Sequence, residues 1–206
     1  RNYQYYWDDP ILSGNLAASV IHGAKINGLY CYMKHFVVSE SGPNGRDWNT
    51  WLPEQVLREI YLKPFEISVK EGGSNAVMSS FNNLGPSWTG ADEAALTDSL
   101  PPEWGFQGTA VTDWSMGGEP GTMNTRQGIR AGNDIWLNPM GFTLGGGLDT
   151  SDPTDIACAR RAAHNVLYTL VDTIYYNHTF DHDSLDTIFN ANVGVADRAE
   201  SFAWWI

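Results

Sequence analysis

The sequence predicts an α/β protein, the C-terminal part of a (β/α)8 TIM-like barrel that is incomplete. Short apolar runs end abruptly in polar side chains, and segments with helical spacing separate these runs. Alternating strands and helices are typical of a parallel sheet with crossover helices, and barrels of this kind carry their active groups where the strands end. A complete barrel needs about 250 residues, whereas the chain has 206. We therefore expect only part of a barrel.

The first strand is predicted within residues 29–36, an apolar segment that ends on Lys34 and His35. Residues 52–66 have apolar side chains at helical spacing. A second strand is predicted at residues 76–81, because a short β-branched and apolar run follows that helix. Taken alone, Lys34 could be a solvated charge and His35 a buried histidine with one satisfied nitrogen.

The third strand, residues 109–114, is the most informative segment of the chain. It follows a helical stretch at residues 92–100 and a Gly-Phe-Gln-Gly turn, and it ends on a carboxylate and an indole. Thr112 and Asp113 could instead open the next helix or turn, since both residue types are favoured at helix caps. If the segment is a barrel strand, Asp113 lies at the working end of the sheet.

Composition and charge exclude several functions. The net charge of −12 argues against nucleic acid as a partner, because the phosphates would be repelled. No apolar run approaches the roughly 20 residues that a membrane span requires. The two cysteines suggest neither a disulfide framework nor a zinc site, and no metal or cofactor is expected. The compartment stays open between extracellular and cytoplasmic.

Six short motifs occur in one order along the chain. They are Lys34-His35-Phe36, Leu57-Arg58-Glu59-Ile60-Tyr61-Leu62, Pro64-Phe65-Glu66, Val77-Met78-Ser79-Ser80-Phe81-Asn82, Glu103-Trp104-Gly105-Phe106-Gln107-Gly108 and Thr112-Asp113-Trp114. In this order the chain resembles glycoside hydrolase family 3, and in particular its β-glucosidase-like members. The resemblance begins at Arg1 and continues through Asp134.

The resemblance implies a role for each candidate residue. Asp113 corresponds to the nucleophile, which forms a glycosyl ester that water then hydrolyses with retained configuration. Lys34, His35 and Arg1 correspond to groups that hold the sugar hydroxyls. Further residues correspond to the walls of the sugar site, namely Met78, Trp114 and Phe81. The acid/base is a glutamate of a second domain in such relatives, and no residue of this chain can be assigned to it.

Two departures from the family pattern concern the segment after Lys34-His35-Phe36. The family commonly has Asn-x-Gln-Glu before an arginine, whereas this chain has Val-Val-Ser-Glu-Ser-Gly before Arg46. The loop that shapes the first subsite is therefore expected to differ. A Pro-Gly-rich loop with an Asp-x-His acid is also absent from the sequence, which disfavours the β-N-acetylhexosaminidase branch.

Residues 1–177 are expected to form the partial barrel, and residues 178–206 a tail or linker. Residues 151–177 resemble the closing helix of the barrel in relatives with a reversed domain order. Arg1 is not an initiator methionine and falls inside a motif, so we expect the chain to be a cut piece. Its expected partners are the missing barrel half, the second domain and a β-linked glucoside or oligosaccharide.

The expected function is hydrolysis of terminal non-reducing β-D-glucosyl residues by a retaining double displacement. β-Xylosides are an alternative substrate, because a shared fold does not determine specificity. A different class of function is also open, namely a non-catalytic carbohydrate-binding or structural fragment. Half of the barrel and the catalytic acid are both expected to lie outside this chain.

Overall fold

The computed structural model describes residues 5–39, 48–114, 123–138, 146–171 and 173. The helices are α1 (Pro10–Lys25), α2 (Glu54–Val56), α3 (Lys63–Lys70), α4 (Leu100–Trp104), α5 (Thr125–Ala131) and α6 (Pro153–Val171). The strands are β1 (Met33–Phe36), β2 (Asn49–Thr50), β3 (Ala76–Ser79), β4 (Asn83–Leu84), β5 (Ser87–Trp88) and β6 (Thr109–Val111). Two π-helical stretches, Leu57–Tyr61 and Ala94–Ser99, and a 3₁₀ turn, Thr89–Ala91, complete the order.

The main sheet is parallel and has the strand order β1-β3-β6. Met33 of β1 pairs with Val77 of β3, and Val77 pairs in turn with Ala110 of β6. On the other side of β6, a parallel bridge joins Val111 to Ile135, so the segment that contains Ile135 extends the sheet next to β6. Parallel neighbours joined by helices are the arrangement that the strand and helix alternation predicts. The α/β class is confirmed.

Helix α1 begins at a strong N-terminal signal. The Asp9 carboxylate accepts a hydrogen bond of 2.7 Å from the Leu12 amide, and Pro10 occupies the first turn. The helix packs against α3 through Gly14, where an added Cβ would lie 2.8 Å from Ile67 Cδ1. Only a residue without a side chain permits this close approach.

One apolar core lies between the main sheet and its helices. All three strands contribute to it, through Phe36, Val77 and Ala110 among others. The Phe36 ring is fully buried and makes edge-to-face contacts with Phe65 at 5.0 Å and with Trp104 at 6.2 Å between centroids. Such aromatic contacts add about 0.5–1.5 kcal/mol to the burial of their area.

A second, smaller sheet has the order β2-β4-β5. Strand β2 pairs in parallel with β4, and β4 turns back through an antiparallel hairpin into β5. Because β2 follows β1 and β4 follows β3 along the chain, this small sheet lies beyond the carboxyl ends of the main strands. The sequence analysis did not predict it.

Helix α6 is held against α5 by ion pairs. Arg130 Nε lies 2.7 Å from Asp155 Oδ1, and Arg126 Nη2 lies 2.6 Å from Asp152 Oδ2. Burial acts to raise the pKa of Asp155, but the Asp149 amide and the two arginines outweigh it and lower that pKa below its ordinary value. The buried carboxylate is therefore kept ionised between the two helices.

Most predicted elements of the main sheet are confirmed, with changed boundaries. The first strand begins at Met33 and not at residue 29, and the second ends at Ser79. Within residues 151–177, where a helix was expected, the structure has α6 (Pro153–Val171). The tail at residues 178–206 and its boundary at residue 177 lie outside the described residues. Within the described ranges, no helix has the length and apolar character needed to cross a membrane.

Candidate active site

Backbone hydrogen bonds continue the main sheet beyond the last residue of each strand. The Ser80 amide donates to Phe36 O at 2.9 Å, and the Asp113 amide donates to Ser79 O at 3.0 Å. On the far side of β6, the Thr112 amide donates to Ile135 O at 2.9 Å. The carboxyl ends of neighbouring strands are therefore aligned at one edge, where parallel-sheet proteins carry their active groups.

Asp113 and His35 meet at this edge. His35 Nε2 lies 3.2 Å from Asp113 Oδ2, although His35 belongs to β1 and Asp113 follows β6. Their side chains are only 5% and 13% exposed, so the contact lies in a sheltered position that still has an opening to solvent. His35 directly precedes Phe36, whose ring is buried in the core.

The other carboxylate oxygen of Asp113, Oδ1, also has a hydrogen-bond partner. The Trp114 amide donates to Asp113 Oδ1 at 2.7 Å, while Oδ2 faces His35. With Oδ1 anchored by the backbone, the carboxylate has a fixed orientation and one oxygen directed towards the imidazole. This is a chemically suitable arrangement for a carboxylate nucleophile.

The other predicted wall residues lie at the same edge of the sheet or next to it. Met78 is buried, pairs with Val111 in the register of β3 and β6, and precedes the serine that accepts from Asp113. Trp114 is half-buried, and its indole N–H has no hydrogen-bond partner among the described residues. Phe81 is half-buried and follows Ser80.

The two predicted cationic sugar-binding residues differ in what the structure describes. Lys34 is half-buried in β1, directly before His35. Arg1 lies outside the described residues, as do Glu40 and Arg46 of the divergent loop. Of the predicted set, direct contact with Asp113 is made by His35 and by the backbone of Trp114.

A buried polar contact that the sequence analysis missed supports this edge. Ser79 Oγ donates to Asn133 Oδ1 at 3.0 Å, and the Asn133 amide group donates to Gly90 O. Ser79 and Asn133 are fully buried, and Ser79 also accepts the Asp113 amide through its backbone carbonyl. Asn133 precedes Asp134, the last residue of the resemblance described above, but sequence spacing alone does not reveal its long-range partner.

A second buried group fixes the segment that follows His35. Val37 O accepts from Ser80 Oγ at 3.2 Å and from Asn82 Nδ2 at 3.1 Å. Thr89 Oγ1 lies 2.8 Å from Ser80 Oγ, and Trp88 Nε1 donates to Ser80 O at 2.7 Å. The end of β1 is thus tied to the end of β3 and to the hairpin of the small sheet.

A different carboxylate lies on the other side of β6. Asp134 Oδ2 accepts the Ala110 amide at 2.9 Å, and Asn165 Nδ2 donates to Asp134 Oδ1 at 3.1 Å. Burial raises the pKa of Asp134 to about 6, against the opposing effect of these hydrogen bonds and of the Arg161 charge. A cavity of about 440 Å³ adjoins it between α6 and the start of β6.

The part of the chain that the structure describes contains no set of side chains arranged to bind a metal ion. No group of three or more His, Cys, Asp and Glu side chains is placed there to hold an ion. Among the described residues, contacts to Asp113 include the His35 imidazole, the Trp114 amide and the Ser79 carbonyl. Such a set is suited to nucleophilic attack by the carboxylate on an electrophilic carbon.

Curated relatives of the chain are β-glucosidases. A β-glucosidase of Rhizobium radiobacter is 39% identical over 135 residues, which are 66% of this chain and 16% of that protein. A β-glucosidase of Ruminococcus albus is 28% identical over an alignment of 214 positions, gaps included, which covers 97% of this chain and 22% of that protein. The chain thus spans less than a quarter of the length of these relatives.

Solved structures of β-glucosidases share the fold. β-Glucosidase 3B of Thermotoga neapolitana, in complex with glycerol, superposes with a TM-score of 0.73 at 30% identity. The match covers 85% of this chain and 25% of that one. The model of the glycosyl hydrolase family 3 N terminal domain matches residues 1–144, well over half of the 206 residues. The chain therefore belongs to glycosyl hydrolase family 3.

Proposed function

We propose that this chain supplies the nucleophile and part of the sugar site of a retaining β-glucosidase. The reaction is hydrolysis of terminal non-reducing β-D-glucosyl residues, with Asp113 as the nucleophile. The observation that carries the proposal is the 3.2 Å contact between His35 Nε2 and Asp113 Oδ2 at the common edge of the sheet. The relatives named β-glucosidase support the choice of substrate.

The proposed reaction begins with attack on the anomeric carbon. An Asp113 oxygen forms an ester bond to that carbon as the bond to the leaving oxygen breaks, and the leaving oxygen takes a proton from an acid. Water then attacks the same carbon and gives its proton to the group that acted as the acid in the first step, the ester bond breaks, and Asp113 is released as a carboxylate. Two inversions give net retention. The ordered carboxylate, anchored at Oδ1 by the Trp114 amide, supports this role.

Sugar binding is assigned to the neighbours of the nucleophile. Lys34 and His35 follow one another at the end of β1, where both can donate to hydroxyl groups. Arg1 completes the proposed cationic set, and Met78, Trp114 and Phe81 form the walls. In this proposal the chain is an incomplete part of a (β/α)8 barrel. The acid/base belongs to another part of the parent protein.

The proposal is tested with 2,4-dinitrophenyl 2-deoxy-2-fluoro-β-glucoside, followed by intact mass and peptide fragmentation. Dinitrophenolate leaves without protonation, so labelling needs the nucleophile and not the missing acid. The expected result is a single fluoroglucosyl adduct on Asp113. The Asp113→Ala variant is expected to remain unlabelled, whereas Asp98→Asn, which changes an exposed carboxylate, is expected to label normally.

Near-UV circular dichroism of the nine tryptophans shows whether each sample is folded. An adduct on another carboxylate would show that Asp113 is not the nucleophile. A folded chain without any adduct would reject the catalytic proposal and favour a binding or structural fragment. The corresponding fluoroxyloside distinguishes the two substrates, because faster labelling by the xyloside would favour the β-xyloside alternative.

A further inference from the structure

We propose that the cavity beside Asp134 and Arg161 binds a small α-amino acid with an apolar side chain. In this assignment Arg161 donates to the α-carboxylate of the ligand, and Asp134 accepts from its α-ammonium group. The apolar wall of the cavity contacts the side chain of the ligand. The inference goes beyond the proposed function and does not depend on it.

Four segments of the chain converge around this cavity. Its volume is about 440 Å³, and it is lined from residues 96–97, 106–110 and 132–134 and from one face of α6. Cavities that bind small molecules have volumes of roughly 300–1,000 Å³, with mostly apolar walls and a few polar groups that orient the ligand. The cavity therefore has the size and the construction of a small-molecule site.

Two opposite charges line the cavity without forming a direct ion pair. Among the described residues, no carboxylate oxygen lies within 4.0 Å of the Arg161 guanidinium. The Arg161 charge is nevertheless close enough to act to lower the pKa of Asp134, against the larger effect of burial. This separation suits a small ligand that lies between the two side chains and contacts both.

Both charged side chains keep capacity for further hydrogen bonds. Arg161 Nη2 donates to Ile129 O, whereas its Nε is buried and has no hydrogen-bond partner in the described part of the chain. Asp134 accepts from the Ala110 amide and from Asn165 Nδ2, but an ionised carboxylate has about four acceptor positions. A buried donor without a partner is unfavourable, so a ligand carboxylate that accepts from the guanidinium would stabilise the site.

The rest of the lining is suited to an apolar side chain. Leu96, Phe106 and Ala110 are buried and form the inner wall. His164 and Tyr168 are exposed, and their rings stack with 6.3 Å between centroids. The cavity therefore combines an apolar inner wall with two rings on its exposed side, and a leucine-like or phenylalanine-like side chain can be buried there.

The charge pair selects a zwitterion over other ligands. A simple carboxylate bound to Arg161 would also lie near the Asp134 carboxylate, and a simple amine bound to Asp134 would lie near the guanidinium. Both arrangements place like charges close together, which is unfavourable. An α-amino acid presents each charge to its opposite. It has no net charge, so the net charge of −12 on the chain does not repel it.

The cavity and the proposed sugar site lie at opposite ends of β6. The cavity is lined by Gly108, directly before the strand, and by Ala110 within it, whereas Asp113 follows the strand. Three residues of extended chain, roughly 10 Å, separate Ala110 from Asp113. An amino acid in the cavity would therefore not occupy the sugar site.

The test is calorimetric titration of the chain with L-phenylalanine and two analogues that each lack one charged group. 3-Phenylpropanoate lacks the ammonium group, and 2-phenylethylamine lacks the carboxylate. At pH 7.5, above the Asp134 pKa of about 6, the carboxylate of the site is ionised. L-Phenylalanine is expected to bind, and each analogue to bind about tenfold more weakly, the order for one lost charge-assisted hydrogen bond.

Two variants assign each charge to its residue. Arg161→Gln is expected to weaken L-phenylalanine binding about tenfold without weakening 2-phenylethylamine, and Asp134→Asn to weaken L-phenylalanine by a similar factor without weakening 3-phenylpropanoate. Arg160→Gln is the matched control, because Arg160 is the exposed neighbour of Arg161 on α6 and does not line the cavity. A general disturbance of the fold would instead weaken all three ligands together.

A folded native chain that does not bind L-phenylalanine would overturn the inference, as would equal affinities for L-phenylalanine and both analogues. Parallel loss of all three ligands in the folded variants would reject the assignment of Arg161 and Asp134. Near-UV circular dichroism identifies a variant that does not fold, and the comparison of ligands on the native chain then decides. Fluoroglucoside labelling of Asp113 is measured separately, so the proposed function stands or falls on its own result.

Discussion

His35 Nε2 and Asp113 Oδ2 lie 3.2 Å apart although a complete strand, β3, separates the strands that carry them. The contact is possible because the two residues sit at the ends of β1 and β6, where the side chains can reach across the edge of the sheet. Neither local sequence nor a single strand pairing creates it. The site depends on the alignment of the strand ends at one edge of the sheet.

Replacement of the nucleophile should be rescued by an external anion. Asp113→Ala leaves a space beside the anomeric carbon, so azide is expected to attack a dinitrophenyl β-glucoside directly and give α-glucosyl azide. A single displacement inverts the configuration, whereas the native double displacement retains it. The anomeric proton coupling in the NMR spectrum of the product distinguishes the two. A β-azide product would assign Asp113 to another role.

Loss of the imidazole should slow labelling without unfolding the chain. His35→Ala removes the group that faces Asp113 Oδ2 and is expected to lower the fluoroglucoside labelling rate by about 10²-fold, within the range for one positioned polar group. His22→Ala, on the exposed face of α1, serves as the matched control. Equal rates for the two variants, measured by intact mass over time, would remove His35 from the proposed site.

Close packing at the start of β6 should make Gly108 intolerant of any side chain. A Cβ at this position would overlap with Asn75 O, the same carbonyl that accepts the Thr109 amide. Gly108→Ala is expected to destabilise the fold by more than about 2 kcal/mol, since the backbone of β3 or β6 must shift. Urea unfolding measures the effect.

Gly23 provides the opposite outcome for the same substitution. It lies within α1 and an added Cβ would meet nothing within 4 Å. Gly23→Ala is expected to stabilise the chain by up to about 1 kcal/mol, the difference in helix propensity. Similar unfolding midpoints for the two variants would contradict the packing at Gly108.

Asp134 should make stability fall as the pH rises through its pKa. Burial raises its pKa in the folded chain to about 6, above the roughly 3.9 of an unfolded aspartate. The folded state therefore binds more protons than the unfolded state between these values, and the free energy of unfolding decreases as pH increases there. Asp134→Asn removes this titration while retaining an acceptor for the Ala110 amide.

The variant is expected to gain about 2 kcal/mol relative to the native chain between pH 4 and pH 7, in line with a pKa shift of this size. Urea midpoints across that range provide the measurement. A constant difference between the two proteins at every pH would show that Asp134 does not titrate in this range.

Strands β3 and β6 of the main sheet could be predicted because their sequences have the pattern typical of buried strands. Residues 76–81 and 109–114 are short apolar runs that end in polar groups, and β3 and β6 lie within them. The beginning of β1 was misplaced because residues 29–32 are also apolar. Leu29 is nevertheless 54% exposed, so its hydrophobicity does not reflect a place in the sheet.

Other elements escaped prediction for separate physical reasons. Helix α1 has a clear start at Asp9 and Pro10, a signal that the sequence interpretation did not use. Strands β2, β4 and β5 have two residues each, too short to show a periodicity. The contact between Ser79 and Asn133 joins positions that are distant in sequence, and only the folded sheet brings them together.

The distance along the chain between His35 and Asp113 has a consequence for folding kinetics. About 80 residues separate the two side chains, so closing this loop is entropically expensive and we expect the contact to form late. An early intermediate that keeps α1 against α3 would lack the pair altogether. The time at which refolding chains become labelled at Asp113 would therefore report when β1, β3 and β6 assemble. Labelling would lag behind the recovery of the helical signal.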